Sequence, residues 1–295
     1  MSFVAEAVQT RRGWGHFPLL RALASNPVTL AALVIVIVFL MMAAFAPWLA
    51  PYPPTKIDVL HKLQPPSAEH WFGTDHLGRD LLSRIIHGAR TALTIAIGSV
   101  AVAGSVGLLL GLIAGYGPRW LDGVLVLVFD SLNSLPMIMF ALAIITVLGT
   151  GTGTLIFVIA ATSFPSYARL IRAQTLALKN SDYILAERLM DAHPLRILLV
   201  HLLPNVVGPL IILLSMDIPV VIMVEAGLSF LGLGVRPPTP SWGSILYDGY
   251  TSIRSAPFVV IFGGLPLVLA TLGFTFLGEG LRDSLDPRLK LRRPA

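Results

Sequence analysis

Residues 182–196, DYILAERLMDAHPLR, form a polar and charged stretch in a chain that is otherwise dominated by apolar residues. Leu203-Pro204-Asn205 follows, before the next apolar run begins. A few residues would be enough to join two membrane helices. A connection this long and this charged therefore predicts a surface that docks a soluble partner on one side of a membrane.

The composition is that of a protein that folds within a lipid bilayer. Of the 295 residues, 55% are hydrophobic and 13% are charged, whereas about a quarter of the residues in ordinary soluble domains are charged. The chain has no cysteine, which excludes a disulfide framework and a thiolate metal site. The net charge of +5 comes from basic residues in loops that flank the apolar stretches, a pattern typical of membrane orientation rather than nucleic-acid binding.

Six apolar stretches are long enough to cross a hydrocarbon core, which takes roughly 20 helical residues. They run from about Val28 to Leu49, Thr91 to Tyr116, Val124 to Leu148, Thr154 to Tyr167, Val206 to Gly232 and Phe258 to Gly278. The fourth continues past Arg169, and we expect Arg169 and Arg172 to extend toward water. The sequence thus predicts an all-α membrane protein with six spans.

Basic residues set the orientation. The side that carries both termini holds 14 of the 21 lysines and arginines, so both termini are predicted to be cytoplasmic. A cleaved signal peptide is the rival interpretation of the first span, but its apolar run is longer than a signal h-region. The predicted divisions are a cytoplasmic tail (1–27), a first span with an external segment (28–90), a core (91–281) containing a cytoplasmic loop at about 168–204, and a cytoplasmic tail (282–295).

The predicted spans contain a glycine repeat and several acidic residues. Gly107, Gly111 and Gly115 repeat every four residues, a spacing that lets helix backbones approach closely, either within this subunit or against a second one. Acids occur within or at the rim of predicted spans, at Asp130, Asp217, Glu225 and Glu279. Since no histidine or lysine is predicted at matching depth, a structural role is favoured over proton coupling.

No sequence motif of an energy-converting or catalytic site is present. The chain has no G-x-x-x-x-G-K-[ST] phosphate loop, no H-E-x-x-H zinc helix and no G-x-S-x-G nucleophile elbow. Any nucleotide must therefore bind another polypeptide. The chain is predicted to be neither an enzyme nor a metal-binding protein.

Four blocks of sequence resemble one family. They are HWFGTDHLGRDLLSR (70–84), the loop 183–205, EAGLSFLGLG (225–234) with PPTPSWG (237–243), and GEGLRD (278–283) with LDPR (285–288). In this order they resemble the transmembrane permease subunit of ATP-binding-cassette importers of the dipeptide and oligopeptide type, the second of the two paired permeases. The resemblance covers nearly the whole chain beyond residue 20.

The resemblance implies a type I importer permease fold in a bacterial inner membrane. It also implies a heterodimer with a second, homologous permease, two cytoplasmic ATPase subunits that hold ATP and magnesium, an extracytoplasmic solute-binding protein, and import of peptides or a similar small solute. This chain would hold no cofactor and would contact lipid. The alternative is an ATP-independent secondary transporter or channel, against which stand the docking loop and the predicted lack of paired charges within spans.

In this family the cytoplasmic loop forms a coupling helix that enters a cleft on the ATPase. Here a helix from Ile184 to Ala192 would set Leu185, Leu189 and Ala192 on one face, opposite Glu187, Arg188 and Asp191. Where the family has two small residues and then a glycine four later, this chain has Ala186, Glu187 and Asp191. The expected coupling residues are Leu185, Ala186, Glu187, Arg188, Leu189, Asp191, Ala192 and Arg196.

The remaining expectations concern the outer face and the transport path. Leu81, Leu82, Ile85 and Ile86 could form a helix lying on the membrane, in a segment that either caps the bundle or contacts the binding protein. The residues expected to contact the binding protein are Asp75, Arg79, Asp80 and Trp242, although aromatic residues there could simply anchor the membrane interface. The residues expected to line the path are Asp130, Asn133, Ser134, Met216, Asp217 and Glu225.

Overall fold

The computed structural model describes residues 26–285, and within that range it contains helices and no strands. The helices are α1 (Pro27–Ala44), α2 (Ala46–Leu49), α3 (Leu81–Tyr116), α4 (Arg119–Asn133), α5 (Met137–Leu148), α6 (Thr152–Leu178), α7 (Asp182–Leu189), α8 (Pro194–Arg196), α9 (Leu203–Phe230), α10 (Trp242–Thr251) and α11 (Pro257–Leu285). A π-helical turn, Ile197–Leu202, joins α8 to α9. The predicted all-α class is confirmed, while most of both predicted tails lies outside the described residues.

Five stretches of helix are long and apolar enough to cross a membrane, and the bent pair α4 and α5 brings the number to six when it is counted as one span. The predicted stretch from Val124 to Leu148 is thus two helices, which meet at 90°. Pro136 caps α5. Proline has no N–H to donate and disfavours helical backbone at the residue before it, which accounts for the break at this position.

The second span begins ten residues earlier than predicted. Asp80 caps α3, its carboxylate accepting a hydrogen bond from the backbone N–H of Ser83 at 2.8 Å. Leu81, Ile85 and Ile86 consequently form the buried base of this span. The predicted helix lying on the membrane is therefore wrong.

The glycine repeat of α3 packs against α6 within the chain. A Cβ added at Gly111 would lie 2.6 Å from the carbonyl oxygen of Ala168, and one at Gly107 would lie 2.6 Å from the Cβ of Tyr167. Gly115 meets Thr175 in the same way. The close approach that the repeat permits is thus used inside this subunit, which decides between the two interpretations left open by the sequence.

The buried side chains form two main clusters that correspond to the two ends of the bundle. The larger cluster includes Phe39, Ile95 and Trp242, and it joins α1, α3, α10 and α11. The smaller one includes Tyr167 and Ile184 and lies where the 182–196 segment meets the spans. At each end of the bundle, a buried cluster therefore holds a structured segment against the spans.

Candidate coupling loop and transport site

The loop helix α7 is shorter than predicted and ends at Leu189. Met190 is its C-cap, and Asp191 follows with a φ of 56°, in the left-handed region. The N–H of Asp191 donates to the carbonyl of Arg188 at 3.1 Å, and the N–H of Ala192 donates to that of Glu187 at 3.0 Å. These two bonds form a Schellman motif, so Ala192 lies outside the helix rather than on its apolar face.

The position of Asp191 explains the family pattern in physical terms. The residue after a helix C-cap in a Schellman motif has positive φ and is usually glycine, because glycine has no Cβ to clash. The resemblance described above implies glycine at this position, and in this chain aspartate adopts the positive φ. The backbone of Asp191 thus supplies the positive φ that ends α7, and its side chain lies on the exposed surface.

One side chain anchors α7 to the bundle while the apolar tip stays exposed. Ile184 is fully buried in a cluster with Ile197, Leu202 and Val206. Leu189, by contrast, is 89% exposed. The other large exposed hydrophobic side chains of this segment are Tyr183, Leu185, Met190 and Leu195.

Two of the predicted coupling residues turn back toward the spans. Glu187 Oε1 lies 3.2 Å from His201 Nε2, in the π-helical turn that leads into α9. The guanidinium of Arg188 lies 5.3 Å from the ring centroid of Tyr116, the last residue of α3. Ala186 and Arg196 are exposed. The anchoring role of Ile184 and the partners His201 and Tyr116 are not predictable from the sequence, because these contacts join segments distant in sequence.

The third-span candidates lie beside α6. Asp130, Asn133 and Ser134 are exposed at the end of α4. Asp130 Oδ1 lies 3.0 Å from a terminal nitrogen of Arg169, and Asp122 accepts two hydrogen bonds from Arg172 at 2.5 and 2.8 Å. Both arginines keep exposed surface, as expected for side chains that extend toward water, but the predicted lack of charge pairs in the spans is wrong, because Asp130 pairs with Arg169.

The fifth-span candidates differ in burial. Met216 and Asp217 are partly buried. Glu225 is fully buried, and its Oε1 accepts a hydrogen bond from the hydroxyl of Ser229 at 2.7 Å. Because Glu225 has no exposed surface even in the isolated chain, its prediction as a lining residue is wrong for this conformation. It packs the outer end of α9 instead.

The outer segment is built around a buried charge network. Arg79 Nε donates to Asp75 Oδ2 at 2.7 Å, and Arg84 donates to Asp75 and, at 2.8 Å, to Asp248 of α10. Burial alone would raise the pKa of Asp75. The charges of Arg84 and Arg79, with two backbone N–H groups, outweigh burial and hold this pKa below its ordinary value.

The four residues predicted to contact the binding protein are buried in or near this network. Asp75, Arg79 and Asp80 are buried, and Asp80 also accepts from His70 at 2.9 Å if the imidazole Nδ1 carries the proton. Trp242 is fully buried, not at a membrane interface, and donates from Nε1 to the carbonyl of Ile85 at 3.1 Å. None of these four side chains offers a surface to a partner, because each fastens the outer segment to the spans.

The same network argues against a cation there. Ligand atoms of Asp75, His76 and Asp248 lie within 4.8 Å of one another. Two arginines already neutralise both carboxylates. A divalent ion would have to displace buried ion pairs, so this cluster is structural.

The fold and the loop together define a class: a multi-pass membrane subunit of an ABC importer. The chain belongs to the family described as binding-protein-dependent transport system inner membrane component, whose model matches residues 107–291. A second model, the N-terminal TM domain of oligopeptide transport permease C, matches residues 19–66.

Curated relatives are similar over most of their length. The dipeptide transport system permease protein DppC of Alkalihalophilus pseudofirmus is 39% identical, over 92% of this chain and 89% of the relative. The di/tripeptide transport system permease protein DppC of Pseudomonas aeruginosa is 41% identical, over 92% and 91%. The glutathione transport system permease protein GsiD of Pectobacterium atrosepticum is 40% identical, over 95% and 93%.

A solved structure supports the fold. A chain of the MetNI methionine ABC transporter, in an inward-facing conformation, matches with a TM-score of 0.56 at 20% identity. The match covers 69% of this chain and 96% of that one. The importer permease fold predicted from the sequence is thereby confirmed.

Proposed function

We propose that this chain is one of two paired, non-identical permease subunits of an importer that carries dipeptides or similarly small peptides across a bacterial inner membrane. Relatives named for dipeptide, di/tripeptide and glutathione transport support this substrate class. In the proposed assembly two cytoplasmic ATPases hold ATP and magnesium, a binding protein delivers the solute, and both ends of this chain lie in the cytoplasm.

The proposal rests on the contacts that hold α7 against the membrane helices while its apolar end stays exposed. Its exposed tip, Leu185 with Leu189 and Met190, offers apolar surface to a soluble partner. Its other side is held by buried Ile184 and by Glu187 and Arg188, which contact the π-helical turn that leads into α9 and the end of α3. A force applied to the tip would therefore reach two long membrane helices directly.

The coupling residues divide into two groups under this proposal. Leu185, Ala186, Leu189, Asp191 and Arg196 face the ATPase, and Glu187 and Arg188 transmit its movement. Ala192 completes the corner after α7. Asp130, Asn133, Ser134, Met216 and Asp217 remain the proposed path-lining residues.

The experiment uses the absence of native cysteine. A cysteine at Leu189 should crosslink to a co-purified ATPase, whereas a matched cysteine at Thr152, at the opposite end of α6, should not. The purified complex should hydrolyse ATP faster when a binding protein and its dipeptide are added. Recovery of the chain alone, with solute uptake driven by an ion gradient and no ATPase, would instead identify a secondary transporter.

A further inference from the structure

A groove lies between the last turns of α1 and the outer half of α3, on the outside of the bundle. Its volume is about 400 Å³. Its lining is mostly apolar and includes Leu40, Ala43, Ala44, Leu93, Ile97 and Gly98. The remaining two lining residues, Arg90 and Thr94, are polar.

Arg90 and Thr94 lie one helical turn apart on α3, and both are exposed. Among residues 26–285, no carboxylate lies within salt-bridge distance of Arg90, and the Thr94 hydroxyl makes no hydrogen bond. Neighbouring Thr91 behaves differently, since its hydroxyl donates to the carbonyl of His87 at 3.3 Å. Arg90 and Thr94 thus present a cation and a hydroxyl donor toward the groove.

The position of the groove along the span fits the boundary between hydrocarbon and headgroups. Beyond the end of α1, Trp48 is 78% exposed, and exposed tryptophan is enriched at membrane–water interfaces. Arg90 lines the same groove as Ala43 and Ala44, which precede Trp48 by five and four residues in the sequence. An arginine at this depth can reach the headgroup layer with its guanidinium while its stem stays on apolar surface.

We propose that this groove binds one anionic phospholipid, with the phosphate held by Arg90 and Thr94 and one acyl chain lying along the apolar floor. An exposed guanidinium and a hydroxyl match the oxygens of a phosphate. The bound lipid would bridge α1 to α3, two helices that otherwise leave a gap here.

The charge of the groove argues against a helix from a second subunit as the occupant. A helix is about 10 Å wide, so one seated here would cover the Arg90 guanidinium, which has no carboxylate partner among residues 26–285. A single flexible acyl chain is the narrower object, and the polar end of the groove suits its headgroup.

The test is native mass spectrometry of the full-length chain in detergent, titrated with phosphatidylglycerol or with phosphatidylcholine. The parental chain should retain more phosphatidylglycerol than phosphatidylcholine. Arg90→Gln should lower that preference about fivefold, the effect of one cation near an anionic lipid. Ala44→Phe should reduce binding of both lipids, because the added ring fills the groove without changing the charge.

Arg254→Gln is the matched control, since Arg254 is exposed between α10 and α11 on the same predicted side of the membrane. It should leave the preference unchanged. Equal phosphatidylglycerol retention by the parental and Arg90→Gln chains would overturn the proposal. So would a cysteine at Thr94 that crosslinks to another permease subunit in membranes, because protein would then fill the groove.

Discussion

The indole nitrogen of Trp242 donates a hydrogen bond to the carbonyl oxygen of Ile85, across 157 residues of sequence, at 3.1 Å. The ring also meets Phe39 edge to face, with centroids 5.6 Å apart. Three helices, α1, α3 and α10, therefore meet at one fully buried side chain. This contact explains why an aromatic residue in an outer loop is not an interface anchor.

Trp242→Ala should destabilise the outer half of the bundle by about 3–5 kcal/mol, because a large buried ring would leave a cavity. Trp242→Phe should cost less, since most of the apolar contact would remain. Thermal unfolding in detergent measures both. Trp120→Ala is the control because Trp120 is largely exposed; an equal loss in the control would contradict the central role of Trp242.

Gly111→Ala should weaken the seam between α3 and α6. The added methyl group would meet the backbone oxygen of Ala168 at 2.6 Å, and backbone cannot move aside as a side-chain tip can. We expect a loss of about 1–3 kcal/mol in stability. Gly123→Ala, in the helix α4 with open space around it, should be neutral or slightly stabilising. Matching thermal shifts for the two variants would refute the internal seam.

Asp191→Gly should stabilise the corner after α7, because glycine adopts positive φ without strain. The gain should be up to about 1 kcal/mol. Hydrogen exchange at the amides of Asp191 and Ala192 should slow, since these amides make the capping bonds. Asp191→Val should speed exchange at the same amides, and no difference between the two variants would show that the corner is not under strain.

Stability of the outer segment should fall in acid through Asp75. Its folded-state pKa lies below the ordinary value of 3.8. The carboxylate therefore contributes stability that is fully present above about pH 4 and is lost as the pH falls through the depressed folded pKa. Asp75→Asn should remove this contribution. At neutral pH it should also destabilise strongly, because Arg79 and Arg84 would be buried without their shared partner.

The measurement is unfolding as a function of pH between about pH 2 and 7, which covers the titration range of carboxylates. Glu69→Gln, which alters an exposed acid of the same segment, serves as the control. A parental chain and an Asp75→Asn chain with parallel acid profiles would exclude Asp75 as the source.

Arg188→Leu should lower the amount of solute moved per ATP hydrolysed in the proposed assembly. The change removes the contact with Tyr116, a cation–π interaction worth about 0.5–1 kcal/mol, and so loosens α7 from α3. Arg119→Leu removes the same charge from an exposed site on α4, outside the coupling loop, and should have the smaller effect. Paired uptake and hydrolysis assays in proteoliposomes give the ratio, and equal ratios in both variants would show that the Tyr116 contact transmits nothing.

Hydropathy located the spans because lipid demands long apolar helices, so the positions of α1, α3, α9 and α11 followed from the sequence. The loop around Leu189 was also predictable, since charge between apolar runs marks it. The pairing of Arg169 with Asp130 was not, because sequence does not reveal which helices are neighbours. Asp75 and Trp242 were misassigned for the same reason, as polar and aromatic residues in an outer segment can be either buried or exposed.

The 90° corner between α4 and α5 has a consequence for solvation. At such a break, the first N–H groups of α5, from Met137 to Met139, have no partners within their own helix, whereas the carbonyls of Asp130, Ser131 and Leu132 at the end of α4 accept from Ser134 and Leu135. Hydrocarbon cannot satisfy the three N–H groups, and each unmet group would cost several kcal/mol there. The start of α5 must therefore turn toward water or protein, which makes it a polar step inside the bilayer rather than a wall against lipid.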